Sequence, residues 1–77
     1  MKNIKVLGSG CSNCRATIER IEQRANELHV DVELEKVEEI QEIMRFNVMS
    51  TPGVVVDGVL VHAGGVPKPA QIDQWLR

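Results

Sequence analysis

Cysteine is scarce in this chain, and the scarcity narrows its chemistry. Among 77 residues there are two, Cys11 and Cys14, too few for a disulfide framework. A bridge between them would close a tiny loop and constrain the unfolded chain very little, so a structural staple is the weakest reading of the pair. An excess of one charge is also lacking. Nine Lys and Arg stand against eleven Asp and Glu, a net charge of −2. The signs alternate along the chain without forming a block, which leaves no basic footprint for nucleic acid or anionic lipid. Long apolar runs are missing as well. No segment could span a bilayer, and the opening MKNIKVLGSG has no apolar run of signal-peptide length. The expected location is the cytoplasm, where structural disulfides are rare. There is no internal repeat and no linker, so residues 1–77 are expected to form one domain with one modest core.

What is present alternates between two hydrophobic periods. NIKVL has Ile4 and Val6 on one side and Lys5 on the other, and stops at Gly8; it reads as a strand. From Ser12 to His29, Cys14, Ile18, Ile21, Ala25 and Leu28 recur at steps of four and three, one helical stripe. VDVELEKV alternates again, with Val30, Val32 and Leu34 on one face. VEEIQEIMRF places Ile40, Ile43 and Met44 at helical spacing, with glutamates in its first turn and Arg45 near its end, as the helix dipole favours; Asn47 suits a left-handed C-terminal cap. GVVVDGVLVH is two apolar runs joined by Asp57-Gly58, a strong hairpin signal, and near-continuous apolar character in Val54–Val56 predicts a strand covered on both faces. After Gly64-Gly65, Pro67 and Pro69 open a last helix with Ile72, Trp75 and Leu76 inward. The order is βαβαββα. The first three elements form a βαβ unit, so strands one and two should be parallel with a right-handed crossover.

This order puts the cysteines between strand one and helix one. Unpaired N–H groups and the helix dipole favour negative charge there, and a thiol so placed has an enlarged thiolate fraction. Cys14 continues the buried stripe, whereas Cys11 lies one turn earlier at the tip. That asymmetry suits thiol–disulfide exchange in which Cys11 attacks and Cys14 resolves. Arg15 adds positive charge nearby.

IKVLGSGCSNC, FNVMSTPGVVVDG around Pro52, and Gly64-Gly65 before the last helix together resemble the thioredoxin superfamily. Within it, the chain is similar to the small, glutaredoxin-sized thioredoxins of archaea and bacteria known as redox-active disulfide protein 2, over almost its whole length. The resemblance implies a thioredoxin fold: a four-stranded mixed sheet in order 2-1-3-4, with helices one and three on one face and helix two on the other. It implies a protein disulfide reductase with Cys11 and Cys14 catalytic, no bound cofactor and no metal. Pro52 would be cis and lie against the dithiol. Thr51 would pair its backbone with the substrate chain, Met49 would face that substrate, and Gly64 and Gly65 would let its backbone approach. The implied partners are a flavoprotein donor of thioredoxin-reductase type and protein disulfides, and the expected state is a monomer. The chain departs from the family in four places, one being the absence of the basic residue that glutaredoxins place just before their tetrad, which argues against glutathione as substrate. Its tetrad is Cys-Ser-Asn-Cys, Gly10 rather than Trp precedes Cys11, and Lys5 stands near the position of the acid that assists the resolving cysteine in many thioredoxins.

The alternative is a metal site. GSGCSNCRATIERI also resembles the Gly-Met-x-Cys-x-x-Cys loop of heavy-metal-associated domains, which carry Cu(I)-type soft ions on two thiolates. Ser9 stands where those domains have Met, and their chain ends in a strand. Zinc would need two further ligands. His29 lies fifteen residues beyond Cys14 on the same helix, about 22 Å away, and is expected to meet the helix C-terminus. His62 reads as a surface histidine.

Overall fold

The structure, a computed structural model, describes residues 2–8, 12–48 and 50–77. Seven elements follow one another: β1 (Lys2–Leu7), α1 (Ser12–Leu28), β2 (Val32–Val37), α2 (Ile40–Arg45), β3 (Gly53–Val56), β4 (Val59–Ala63) and α3 (Pro69–Leu76). The sheet order is β2-β1-β3-β4, with β1 parallel to β2 and antiparallel to β3, and β3 antiparallel to β4. This is the thioredoxin architecture expected from the sequence.

Strand alternation decides where the helices lie. Ile4 and Val6 of β1 and Val54 of β3 face one way and are buried with Ile21 and Ala25 of α1 and Ile72 and Leu76 of α3. Leu7 and Val55 face the other way and close over Ile43 of α2. Two apolar layers therefore cover β1 and β3 on both sides, and Val54 and Val55 are both essentially inaccessible. A salt bridge ties the two helices of the larger layer: Arg24 Nε and Nη2 of α1 donate to the two carboxylate oxygens of Asp73 of α3 at 2.8 and 2.9 Å. Such a two-point fork fixes geometry as well as charge.

Turn chemistry sets the ends. His29 has φ +56°, and the amides of His29 and Val30 donate to the carbonyls of Asn26 and Ala25, the two bonds of a Schellman cap. His29 thus closes the helix C-terminus with its left-handed backbone. Asn47 is left-handed too, and its amide donates to Met44. Asp57 and Gly58 both have positive φ, the type I′ geometry that matches strand twist. Asp57 also accepts from the Asn3 amide through Oδ1 at 3.0 Å. In β4, Val54 pairs with His62 but Val55 pairs with Leu60. Val61 is thus the extra residue of a β-bulge.

Three apolar expectations are corrected. Leu28 ends the stripe but is 41% exposed. Ile40 and Met44 are 69% and 67% exposed. Helix α2 has only six residues and buries Ile43 alone, because Phe46, Val48 and Leu60 already fill the rest of that layer. The sequence stripe also omitted Thr17, which is fully buried; its hydroxyl donates to the Asn13 carbonyl at 2.7 Å and so enters the core satisfied.

Candidate active site

Two loop ends and one helix start converge at the carboxyl end of β1. Strand β1 runs out at Leu7, and the Gly8 amide still donates to Val37 of β2 at 2.9 Å, which holds the turn to the sheet. Helix α1 begins at Ser12, so Cys14 occupies its first turn. Cys14 is disulfide-bonded and only 4% exposed. Cys11, the only other cysteine in the sequence, lies outside the described residues, as does Met49.

Gly8 is pressed against the sulfur. A Cβ at that position would collide with Cys14 Sγ, and would stand 3.4 Å from Cys14 Cβ and 3.6 Å from Thr51 Cβ. Three expected participants are therefore neighbours: the end of β1, Cys14, and the loop that enters β3. That loop contains the cis peptide bond Thr51–Pro52. Thr51 is exposed and Pro52 fully buried.

The Gly64–Gly65 turn completes the arrangement. The Gly64 amide donates to the Pro52 carbonyl at 2.9 Å. Both glycines have positive φ, +83° and +73°, a region that a side chain makes costly. A Cβ on Gly64 would also stand 3.1 Å from Ser50 Cβ, whereas one on Gly65 would meet nothing. The structure thus brings Cys14, Thr51, Pro52 and Gly64 into one contiguous set, with Gly65 at its open edge.

A cavity of about 90 Å³ adjoins the sulfur, lined by Val6, Gly8, Cys14, Arg15, Ile18 and Lys36. Lys36 was not singled out from the sequence. Its signal is the register: β2 pairs in parallel so that Lys36 stands beside Val6, at the cysteine end of the sheet. Its Nζ lies 3.7 Å from Glu38 Oε1. Lys5, noted for its place on β1, points to the opposite layer, where its Nζ is 6.0 Å from the centre of the Phe46 ring. Among the described residues, no group of three or more His, Cys, Asp or Glu could hold a metal ion, and no helix is long and apolar enough to cross a membrane.

A family model described as a thioredoxin domain matches residues 2–77. The chain belongs to the thioredoxin domain family. A thioredoxin of Methanocaldococcus jannaschii is 36% identical over 74 residues, covering 96% of this chain and 85% of that one. A thioredoxin of Methanothermobacter thermautotrophicus is 33% identical over 76 residues, covering 99% of each. The solution structure of oxidised thioredoxin from Plasmodium falciparum superposes with a TM-score of 0.62 at 20% identity, over 97% of this chain and 77% of that one, a likeness of fold. Membership in the thioredoxin family supports thiol–disulfide oxidoreductase chemistry in general. The soft-metal alternative gains no support: the family matched is a thioredoxin domain and the relatives are thioredoxins.

Proposed function

We propose that this protein is a protein disulfide reductase that works through Cys11 and Cys14. The observation that carries the reading is the setting of Cys14. It is buried, already in a disulfide, and its sulfur is pressed against Gly8 at the start of α1, where Gly8 also adjoins Thr51. A sulfur so enclosed suits the inner half of an exchange pair.

In the reduced protein the Cys11 thiolate attacks one sulfur of a substrate disulfide. A Cys11–substrate bond forms, the substrate S–S bond breaks, and the first substrate thiolate leaves and takes a proton. Cys14, as thiolate, then attacks Cys11 Sγ. The Cys11–Cys14 bond forms, the mixed disulfide breaks, and the second substrate thiolate leaves. Two electrons and two protons have passed to the substrate. The cations Arg15 and Lys36 on the cavity wall place positive charge beside a sulfur that must become negative for the second step. Thr51 and Pro52 form one wall of the substrate groove, and Gly64 and Gly65 leave room for the substrate backbone; Met49 is assigned to the substrate by the family resemblance alone. No resident cofactor takes part, because the electrons sit on the two sulfurs. A flavoprotein of thioredoxin-reductase type restores the dithiol in the cytoplasm.

The test is insulin reduction by wild type, Cys11→Ser and Cys14→Ser. Cys11→Ser should be inactive. Cys14→Ser should accumulate a mixed disulfide on Cys11, visible by mass spectrometry. Turnover by Cys11→Ser, or no trapped adduct with Cys14→Ser, would remove the assignment.

A further inference from the structure

We propose that His62 is a positioning residue for substrate binding: it holds the Gly64–Gly65 turn in place against Pro52. The inference rests on the reading of that turn as one edge of the substrate groove.

His62 lies on β4 opposite Val54 of β3, so its ring turns toward the layer that holds α3. There it stacks obliquely on Trp75, the ring centres 6.0 Å apart and the planes at 53°. Its Nε2 lies 2.9 Å from the Gly65 carbonyl oxygen. A carbonyl can only accept, so Nε2 carries the proton. The ring donates the same bond whether neutral or cationic, since a second proton goes to Nδ1. The bond is therefore a tether and not a charge switch.

The tether sits where the backbone most needs one. Gly64 and Gly65 are consecutive left-handed glycines, residues with no side chains to pack and the widest conformational freedom in the unbound chain. The Gly64 amide is bonded to Pro52, and Gly64 abuts Ser50. Two bonds thus pin the turn, Gly64 N–H to the Pro52 carbonyl and Gly65 C=O to His62. Removal of the second leaves Gly65 without its side-chain anchor. A groove edge that must be ordered at each encounter binds an extended peptide more weakly. Chemistry at the sulfur is untouched, because His62 acts through the turn.

The proposal is tested with His62→Leu, which keeps an apolar body against Trp75 but has no donor, and His62→Gln, whose amide nitrogen can replace Nε2. With insulin as substrate, His62→Leu should raise KM roughly three- to tenfold, leaving kcat, the dithiol potential and the pH profile at wild-type values. Hydrogen exchange at the Gly64 amide should quicken by a similar factor. His62→Gln should return both readouts to within about twofold of wild type. An unchanged KM in His62→Leu overturns the proposal, and so does an equal rise in His62→Gln. A loss confined to kcat or a shifted pH profile also overturns it, because it would put His62 in the chemistry. Wild type that fails to reduce insulin would instead remove the disulfide-reductase reading and this proposal with it, whereas an active wild type with a neutral His62→Leu removes this proposal alone.

Discussion

Gly8 and Cys14 meet with no space for a methyl group between them: a Cβ on Gly8 would collide with the Cys14 sulfur. The glycine at the end of β1 is thus the floor on which the buried half of the dithiol rests.

Gly8→Ala should destabilise the oxidised protein by about 1–3 kcal/mol, the usual cost of overpacking. Thermal unfolding should register a fall of roughly 4–20 °C in Tm. In a Cys14→Ala background the same change should cost less than half as much, because the remaining neighbours, the β-carbons of residues 14 and 51, lie at ordinary contact distance. Equal costs in both backgrounds would place the strain elsewhere.

Gly64→Ala and Gly65→Ala should separate backbone strain from crowding. Both residues are left-handed, so each substitution costs about 1–2 kcal/mol. At Gly64 the new methyl also presses on Ser50. Urea midpoints should therefore fall further for Gly64→Ala than for Gly65→Ala, and the reverse order would contradict the packing described.

Acid should release the clasp between α1 and α3. The hydrogen bonds from the Arg24 guanidinium, helped by the charges of Arg24 and Arg77, hold the Asp73 carboxyl below its ordinary value of 3.8 against an opposing effect of burial. The folded pKa is the lower one. The stabilisation is therefore fully present above the ordinary value and is lost as pH falls through the folded value. Asp73→Asn should lower the urea midpoint at pH 7, and its gap from wild type should close as the pH drops below about 4. A gap independent of pH would show that the ionised pair contributes nothing beyond shape.

The two kinds of isoleucine in α2 should behave differently. Ile43 is buried, so Ile43→Ala should cost about 2–5 kcal/mol. Ile40→Gln and Met44→Gln change exposed side chains and should stay within about 0.5 kcal/mol of wild type. Chemical denaturation of the three variants decides the matter.

The sequence carried the architecture because each element announces its period locally. Ile4 and Val6 alternate with Lys5, Asp57-Gly58 dictates a tight turn, and Asn47 closes α2. The site was legible in part for the same reason: Cys14 falls on the helical stripe, and Thr51-Pro52 stands out before an apolar strand. Other features depend on partners distant in sequence. Ile40 and Met44 match Ile43 in spacing, and only the filled layer beneath α2 excludes them from the core. Lys36 reaches the sulfur's end of the sheet through the register of β2 on β1. The bond from His62 to Gly65 needs two left-handed glycines in succession, which residue types permit but do not specify.

The bulge at Val61 has a consequence beyond the hairpin. Strand β4 forms one border of the sheet and turns apolar Val59 and Val61 toward water, a combination that invites neighbouring molecules to zip on and polymerise into ribbons. The extra residue breaks the straight ladder of donors and acceptors that such zipping requires. At the far border, β2 presents Glu33, Glu35 and Lys36 instead of valines. One rim is guarded by its shape and the other by its charge against edge-to-edge pairing.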